Sequence, residues 1–174
     1  KDAIVDQFRL RENARPSVDL RRPDLRINAR ISGTQATISL DLSGESLHRR
    51  GYRKEGSEAP LKENLAAAIL LRAGWSEIAA SGGSLLDPLC GSGTLVIEAA
   101  LIAGDSAPGL TRTHFGFLKW KQHQPHIWQR QLEAARVRRR KGMQSMPALM
   151  GCDCDERAVQ SARANAVRAQ VDTH

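Results

Sequence analysis

The stretch SLLDPLCGSGTLVIEAA, residues Ser84–Ala100, decides how the rest of the chain is organised. A short apolar run ends in an acid, Asp87. A turn with two glycines, Gly91 and Gly93, follows it, and a helical apolar pattern begins at once. This order predicts a strand, a tight turn and a helix start, where glycines admit a ligand to the backbone and unpaired helix amides face it. The stretch is therefore predicted to be the first βα unit of an α/β sheet that binds a nucleotide or nucleoside.

The chemistry of the turn disfavours two common ligands. Thr94 follows Gly93 where a phosphate-binding loop needs a lysine, so ATP hydrolysis is disfavoured. Val96 stands where a dinucleotide turn has its third glycine, which argues against a nicotinamide oxidoreductase. Asp87 would repel a phosphate, whereas it would accept hydrogen bonds from an ammonium group or from ribose hydroxyls. The residues favour a ligand without a pyrophosphate, and S-adenosylmethionine carries both of those groups.

The motif D-P-L-C-G-S-G-T (Asp87–Thr94) resembles the first motif of class I S-adenosylmethionine-dependent methyltransferases, in the form typical of RNA methyltransferases with a THUMP domain. Three further segments, Ser39–Arg53, Ala59–Leu70 and Ala107–Phe117, are similar to the bacterial guanine-N2 methyltransferases of large-subunit ribosomal RNA. The resemblance implies S-adenosylmethionine as cofactor and ribosomal RNA as partner. DNA amino-methyltransferases use a close variant of the first motif and are one alternative. A non-enzymatic RNA-binding module is the other.

A second acid is expected at the end of the next strand of the sheet. Asp105 has no strand before it and is rejected. The run Ala148–Asp153 predicts a short strand that ends in an acid, and its G-C-D-C-D sequence is similar to the family's G-x-D-x-D, whose acid holds the ribose. Asp153 is preferred because Asp155 is also well placed to be only a helix N-cap. The predicted cofactor-binding residues are Asp87, Pro88, Cys90, Gly91, Ser92, Gly93, Asp153 and Asp155. In the full-length protein, valine at Gly91 or Gly93 is expected to abolish cofactor binding and to leave the fold largely intact.

The domain organisation follows from the remaining patterns. A helix over residues 2–11 and a hairpin about Gly33 resemble the C-terminal part of a THUMP domain, assigned to residues 1–43. Residues 44–58 are interpreted as a basic linker. Residues 59–174 are predicted to be the first half of a Rossmann-like methyltransferase domain with an insertion at 105–147. The same domain is predicted to have a helix from Pro60 to Gly74, a loop over Trp75–Gly83 and a helix through Leu95–Ala103.

Positive charge indicates a polyanionic partner. The formal net charge is +7 and the pI is about 9.9. Basic residues interleaved with an aromatic suit a nucleic-acid backbone and a stacked base, and they occur together in the linker. The predicted RNA-binding residues are Arg49, Arg50, Tyr52, Arg53 and Lys54. In the insertion, packing is favoured for the tryptophans, and RNA or solvent for the arginines of Arg136–Lys141.

Several functional features are expected to be absent. The family's N-P-P-Y or D-P-P-Y motif, which holds the target amine, does not occur in the 174 residues, so no catalytic residue is predicted. The chain is expected to be a fragment that binds cofactor weakly and does not turn over alone. Its three cysteines, the lack of a signal peptide and the lack of a long apolar run predict a cytoplasmic protein without a membrane segment. The spacing of Cys152 and Cys154 does not suit a zinc site, so no metal is expected.

Overall fold

The computed structural model describes residues 2–21, 23–53 and 61–172. They fall into two compact units, one of the described residues within 1–44 and 115–123 and one of those within 45–114 and 124–174. In chain order the helices and strands are α1 (Asp2–Glu12), β1 (Arg26–Ser32), β2 (Gln35–Asp41), α2 (Glu63–Arg72), α3 (Trp75–Ala80), β3 (Leu85–Asp87), α4 (Thr94–Ala103), α5 (Pro125–Gly142), β4 (Leu149–Gly151) and α6 (Glu156–Ala169).

The first unit contains α1 and the predicted hairpin. Strands β1 and β2 pair antiparallel, with Ile27 opposite Leu40 and Ile31 opposite Ala36. Gly33 turns the chain between them at a φ of +58°, a left-handed conformation that favours glycine. The insertion contributes one segment to this unit, where the Phe117 amide donates to the Leu42 carbonyl at 3.1 Å. The helix and hairpin predicted for residues 1–43 are therefore present.

The second unit is built on two parallel strands, β3 and β4. Leu85 pairs with Leu149, and Asp87 with Gly151. Two further backbone bonds continue the ladder beyond these strands, because Cys152 donates to the Asp87 carbonyl and Cys90 donates to the Cys152 carbonyl, both at 2.8 Å. Since parallel strands run in the same direction, both carboxyl ends meet at one edge of the sheet. The α/β architecture predicted from the sequence is confirmed.

Helix α4 lies at the centre of this unit. It carries only one charged residue, Glu98, and most of its length is buried. One apolar cluster joins its Ala99 to α2 and α3, and a second joins its Ile97 to the C-terminal part of α6. A helix that is apolar all round is expected to be buried on every side, as α4 is. The turn leads directly from β3 into this buried helix.

The loop predicted for Trp75–Gly83 is wrong over most of its length, because residues 75–80 form α3. Gly74 has a φ of +74° and separates α3 from α2. Trp75 and Ala79 are one helical turn apart and both are buried, and the Trp75 indole nitrogen donates to the Ala99 carbonyl at 2.9 Å. Packing of these two side chains against α4 makes the segment helical.

Helix α5 covers 18 residues of the insertion and has no fully buried residue. The half-buried positions Trp128, Leu132, Ala135 and Arg139 recur at helical spacing along it. This agrees with the predicted packing of Trp128. Across the described residues, no helix is both long enough and apolar enough to cross a membrane.

Candidate cofactor site

The carboxyl ends of β3 and β4 bring two predicted acids to the same edge of the sheet. Asp87 is the last residue of β3, and Asp153 follows β4 by two residues. The Asp153 carboxylate accepts a hydrogen bond from the Gly91 amide, with Oδ2 and N 2.8 Å apart. In open α/β sheets, ligands bind outside this edge. The predicted glycine turn and the predicted ribose acid are therefore in direct contact.

The two glycines of the turn have different environments. Both have positive φ, +53° at Gly91 and +80° at Gly93. A Cβ added to Gly91 would meet nothing within 4 Å, so this face of the backbone is open to a ligand. A Cβ added to Gly93 would lie 2.9 Å from the Ala162 Cβ, at the contact between the turn and α6. The expectation that valine at Gly93 leaves the fold intact is therefore corrected, whereas the same expectation for Gly91 stays a prediction.

The carboxylate of Asp153 is held in its ionised form. Hydrogen bonds from the amides of Asp155 and Gly91 keep the pKa of Asp153 below its ordinary value. Cys154 makes smaller contributions in the same direction. An ionised carboxylate only accepts hydrogen bonds, so a ribose hydroxyl could donate to Asp153. Asp155 instead accepts from the Arg157 amide at 2.9 Å and caps α6. The N-cap predicted for Asp155 is thus confirmed.

The other residues of the motif are arranged around the turn. The Asp87 Oδ1 accepts from the Leu89 amide at 3.2 Å, and Pro88 is exposed. Cys90 is buried, and burial, with the nearby Asp87 and Asp153 carboxylates, raises the pKa of its thiol. A thiol that stays protonated is a poor nucleophile. The geometry agrees with Cys90 as a small packing residue beside the turn.

The sequence patterns did not identify a buried side-chain amide that donates a hydrogen bond to the turn. Asn165, on α6, is 1% exposed, and its Nδ2 donates to the Ser92 carbonyl at 2.9 Å. Its Oδ1 accepts from Arg168, whose Nε also donates to the Tyr52 carbonyl. A polar residue on the otherwise apolar stripe of α6 was the available signal. The contact spans 73 residues of sequence and could not be read from local pattern.

Three of the residues predicted to bind RNA have hydrogen-bond or ion-pair partners within the protein. Tyr52 is 3% exposed and its hydroxyl donates to Glu98 at 3.0 Å, so its ring is not available to stack on a base. Arg50 forms an ion pair with Glu98 at 3.4 Å. Arg53 donates to the Leu61 carbonyl at 2.7 Å and to the Thr94 hydroxyl. The burial of Tyr52 corrects the prediction for that residue, whereas Arg50 and Arg53 have partners within the protein and stay predictions. Arg49 is exposed and stays a prediction, and Lys54 lies outside the described residues.

Glu98 is the buried centre of this linker contact. Burial raises the pKa of Glu98 despite the opposing effect of Arg50. A carboxyl whose pKa is raised in the folded state makes its full contribution to stability below its ordinary pKa of about 4.3. That contribution is lost as the pH rises through the folded-state pKa. In Glu98→Gln, which cannot titrate, we expect the free energy of unfolding to fall less than in the unmodified chain between about pH 4 and about pH 7.

Urea unfolding at a series of pH values measures this difference. The matched control is Glu133→Gln, because Arg140 keeps the pKa of the exposed Glu133 below its ordinary value, which gives a contribution of the opposite sign. Parallel pH profiles for the unmodified chain and Glu98→Gln would contradict the assignment of a raised pKa.

Within the part of the chain that the structure describes, no group of three or more histidine, cysteine, aspartate or glutamate side chains is arranged to hold a metal ion. Cys152 and Cys154 are both exposed free thiols.

Comparison with known proteins places both parts of the chain. Residues 1–41 match the model of the THUMP domain, and residues 50–174 match the model of the RMKL-like methyltransferase domain. The chain is 62% identical to a ribosomal RNA large subunit methyltransferase K/L from Syntrophotalea carbinolica, over all of this chain and 24% of the relative. A protein of the same description from Methylococcus capsulatus is 57% identical over 97% of this chain and 23% of its own length. The chain thus spans about a quarter of these relatives.

Solved structures are similar over 98% of the chain. One of them, SMU.472, is described as a methyltransferase in complex with SAH (S-adenosylhomocysteine). Its TM-score is 0.73 and its sequence identity is 34%, and the match covers 43% of that chain. A Listeria monocytogenes protein, described as a predicted N6-adenine-specific DNA methylase, has a TM-score of 0.79 and 30% identity, with 42% of it covered. Since the family model covers residues 50–174 and these relatives share its fold, the chain belongs to the RMKL-like methyltransferase domain family and carries THUMP domain sequence ahead of it.

Proposed function

We propose that this chain is part of an enzyme that methylates the exocyclic N2 of a guanine in large-subunit ribosomal RNA, with S-adenosylmethionine as the methyl donor, in the cytoplasm. The observation that carries the proposal is the contact between the Asp153 carboxylate and the Gly91 amide at the edge of the sheet. It joins a turn that is open to a ligand to an acceptor for ribose hydroxyls. The relatives described as large-subunit rRNA methyltransferases support the choice of substrate.

The residues present fit a sulfonium nucleoside. The open face at Gly91, which a Cβ would fill, admits a ligand to the backbone. Asp153 would accept the ribose hydroxyls, and Asp87 offers a second carboxylate that favours a cationic over a phosphorylated ligand. When bound, S-adenosylmethionine supplies a methyl group on a positively charged sulfur.

The contribution of this chain to the reaction is positioning. Asn165 donates to the Ser92 carbonyl, and Arg53 donates to the Thr94 hydroxyl. Both contacts hold the part of the turn that leads into α4. Such rigid support keeps a bound donor in one orientation, and orientation is a major source of rate acceleration in group transfer between two bound reactants. No residue of this chain is proposed to move a proton. We further propose that residues 1–43 are THUMP sequence, 44–58 a linker and 59–174 the first half of the methyltransferase domain, with Arg49 as an RNA contact.

The test is methyl transfer by the longer protein that carries this chain. It is incubated with labelled S-adenosylmethionine and unmodified large-subunit ribosomal RNA, and the RNA is digested to nucleosides. The expected product is N2-methylguanosine. Label in adenine of duplex DNA instead would favour the DNA amino-methyltransferase. Salt-sensitive RNA binding without transfer, indifferent to Asp87→Ala and Asp153→Ala, would favour the non-enzymatic RNA-binding module.

A further inference from the structure

Three arginines from separate parts of the second unit converge on one pocket, and the described residues offer few acids to neutralise them. Arg50 comes from the segment before α2, Arg139 from α5 and Arg168 from α6. The pocket is small and only partly enclosed, and its lining also includes Ser106 and Thr111. None of these residues belongs to the glycine turn or to the two acids beside it.

The pocket has an excess of positive charge. The Glu98 carboxylate is 3.4 Å from Arg50 and neutralises that side chain. Arg139 donates to the Ser106 hydroxyl at 3.2 Å and to the carbonyls of Ala169 and Gln170 at 3.1 and 3.0 Å, all of which are neutral. Arg168 likewise donates to a carbonyl and to an amide oxygen. Within the described residues, neither Arg139 nor Arg168 has a carboxylate partner.

The same hydrogen bonds leave donors unused. A guanidinium has five N–H groups, and Arg139 uses only its two terminal nitrogens, which leaves its Nε–H free to donate. Among the described residues, the Arg50 Nε is one of two buried side-chain nitrogens or oxygens with no hydrogen-bond partner. A buried donor without a partner is costly, so a group that accepts from it is favoured. Burial also lowers the pKa of Arg139, a cost that a bound anion would offset.

We propose that this pocket binds a phosphate group of an RNA strand. Planar guanidiniums held in fixed positions match the oxygens of a phosphate, and the Ser106 hydroxyl, which accepts from Arg139, can donate to the same oxygens. The helix that supplies Arg139 also carries exposed cations at Arg136, Arg138, Arg140 and Lys141, which favours a polyanion over a single small anion. This inference rests on the proposed RNA substrate and assigns a backbone contact of that substrate.

A purely structural role for Arg139 is the competing explanation, because its bonds to Ala169 and Gln170 also cap the end of α6. The two explanations differ in their dependence on salt. Loss of one phosphate contact to a single strand lowers the slope of log K against log salt concentration by about 0.7, whereas loss of a helix cap leaves that slope unchanged.

The first experiment measures binding of a single-stranded RNA oligonucleotide to the chain by fluorescence anisotropy over a range of salt concentrations. Arg139→Gln is expected to reduce the slope by about 0.7. The matched control is Arg138→Gln, since Arg138 is the neighbouring arginine, is 58% exposed and lies 3.8 Å from Asp105, and it does not line the pocket. Its slope is expected to change less. Equal slopes for Arg139→Gln and the unmodified chain would overturn the proposal.

The second experiment needs no variant and therefore does not depend on how Arg139→Gln folds. The NMR signal of the Arg50 Nε–H group is followed as the RNA oligonucleotide or inorganic phosphate is added. A shift with RNA supports the proposal. A shift with inorganic phosphate alone would assign the pocket to a free anion. No shift with RNA or with phosphate would mean that the arginines have a structural role. Each of these two results would overturn the RNA assignment. S-adenosylhomocysteine is titrated in parallel. The proposed function predicts that this compound binds whether or not the arginine pocket binds RNA, so the two proposals can fail separately.

Discussion

Replacement of Gly91 by valine is expected to abolish cofactor binding while the protein stays folded. The added Cβ would project into open space, since nothing lies within 4 Å of it, so the clash is with the ligand and not with the protein. The backbone penalty is that of a non-glycine residue at a φ of +53°, about 1–2 kcal/mol. We expect the Kd for S-adenosylhomocysteine to rise at least about 100-fold, which corresponds to about 2.8 kcal/mol. Isothermal titration calorimetry on the longer protein measures it.

The hairpin turn supplies a matched control for this variant. Gly33 has a φ of +58° and its Cβ would also meet nothing within 4 Å, so Gly33→Val has a similar backbone penalty away from the glycine turn. Its Kd should be unchanged. At Gly93 the same substitution is expected to destabilise the fold, because its Cβ would collide with Ala162. Unaltered affinity in Gly91→Val would show that the ligand does not approach this face of the turn.

Replacement of Asp153 by asparagine is expected to weaken cofactor binding by about tenfold to 100-fold, because hydrogen bonds to a charged acceptor are stronger than those to a neutral one. Asparagine has a single acceptor oxygen, so it can replace the bond from the Gly91 amide or the bond from the Asp155 amide but not both, which adds to the loss. The measurement is the same calorimetric titration, done at neutral pH where Asp153 is ionised.

The matched control is Asp155→Asn. Asparagine caps helices about as well as aspartate, so α6 should be unaffected and the affinity nearly unchanged. The structure favours this outcome because the Asp155 side chain caps α6 while Asp153 holds the turn. A larger loss in Asp155→Asn than in Asp153→Asn would mean that Asp155, and not Asp153, holds the ribose.

The sequence predicted the elements whose signal is local. The hairpin about Gly33, the turn at Gly91 and the mostly apolar helix α4 each rest on a contiguous pattern of turn or apolar residues, and all three are present. The short helix α3 was missed because its six residues are too few to distinguish a helical apolar period from the apolar residues of a loop. Its conformation is decided by contact with α4, which the local pattern does not contain.

Contacts distant in sequence account for the remaining differences. Asn165 reaches Ser92 across 73 residues, and Tyr52 reaches Glu98 across 46. In the sequence alone, a tyrosine among arginines suits RNA and packing equally, because charge and aromaticity do not show which surface a side chain faces. The burial of Glu98 favours packing for Tyr52, because a buried carboxylate requires partners and both Tyr52 and Arg50 supply them.

The turn at Gly91, together with Asp153, is proposed to bind a nucleoside without a pyrophosphate. The most direct measurement follows the backbone amide NMR signals of the chain as S-adenosylhomocysteine or ADP is added, because shifts report even weak binding. We expect the signals of Gly91 and Asp155, whose amides both donate to Asp153, to shift with S-adenosylhomocysteine and not with ADP. Shifts of these signals with ADP alone, or with neither compound, would contradict the proposed site.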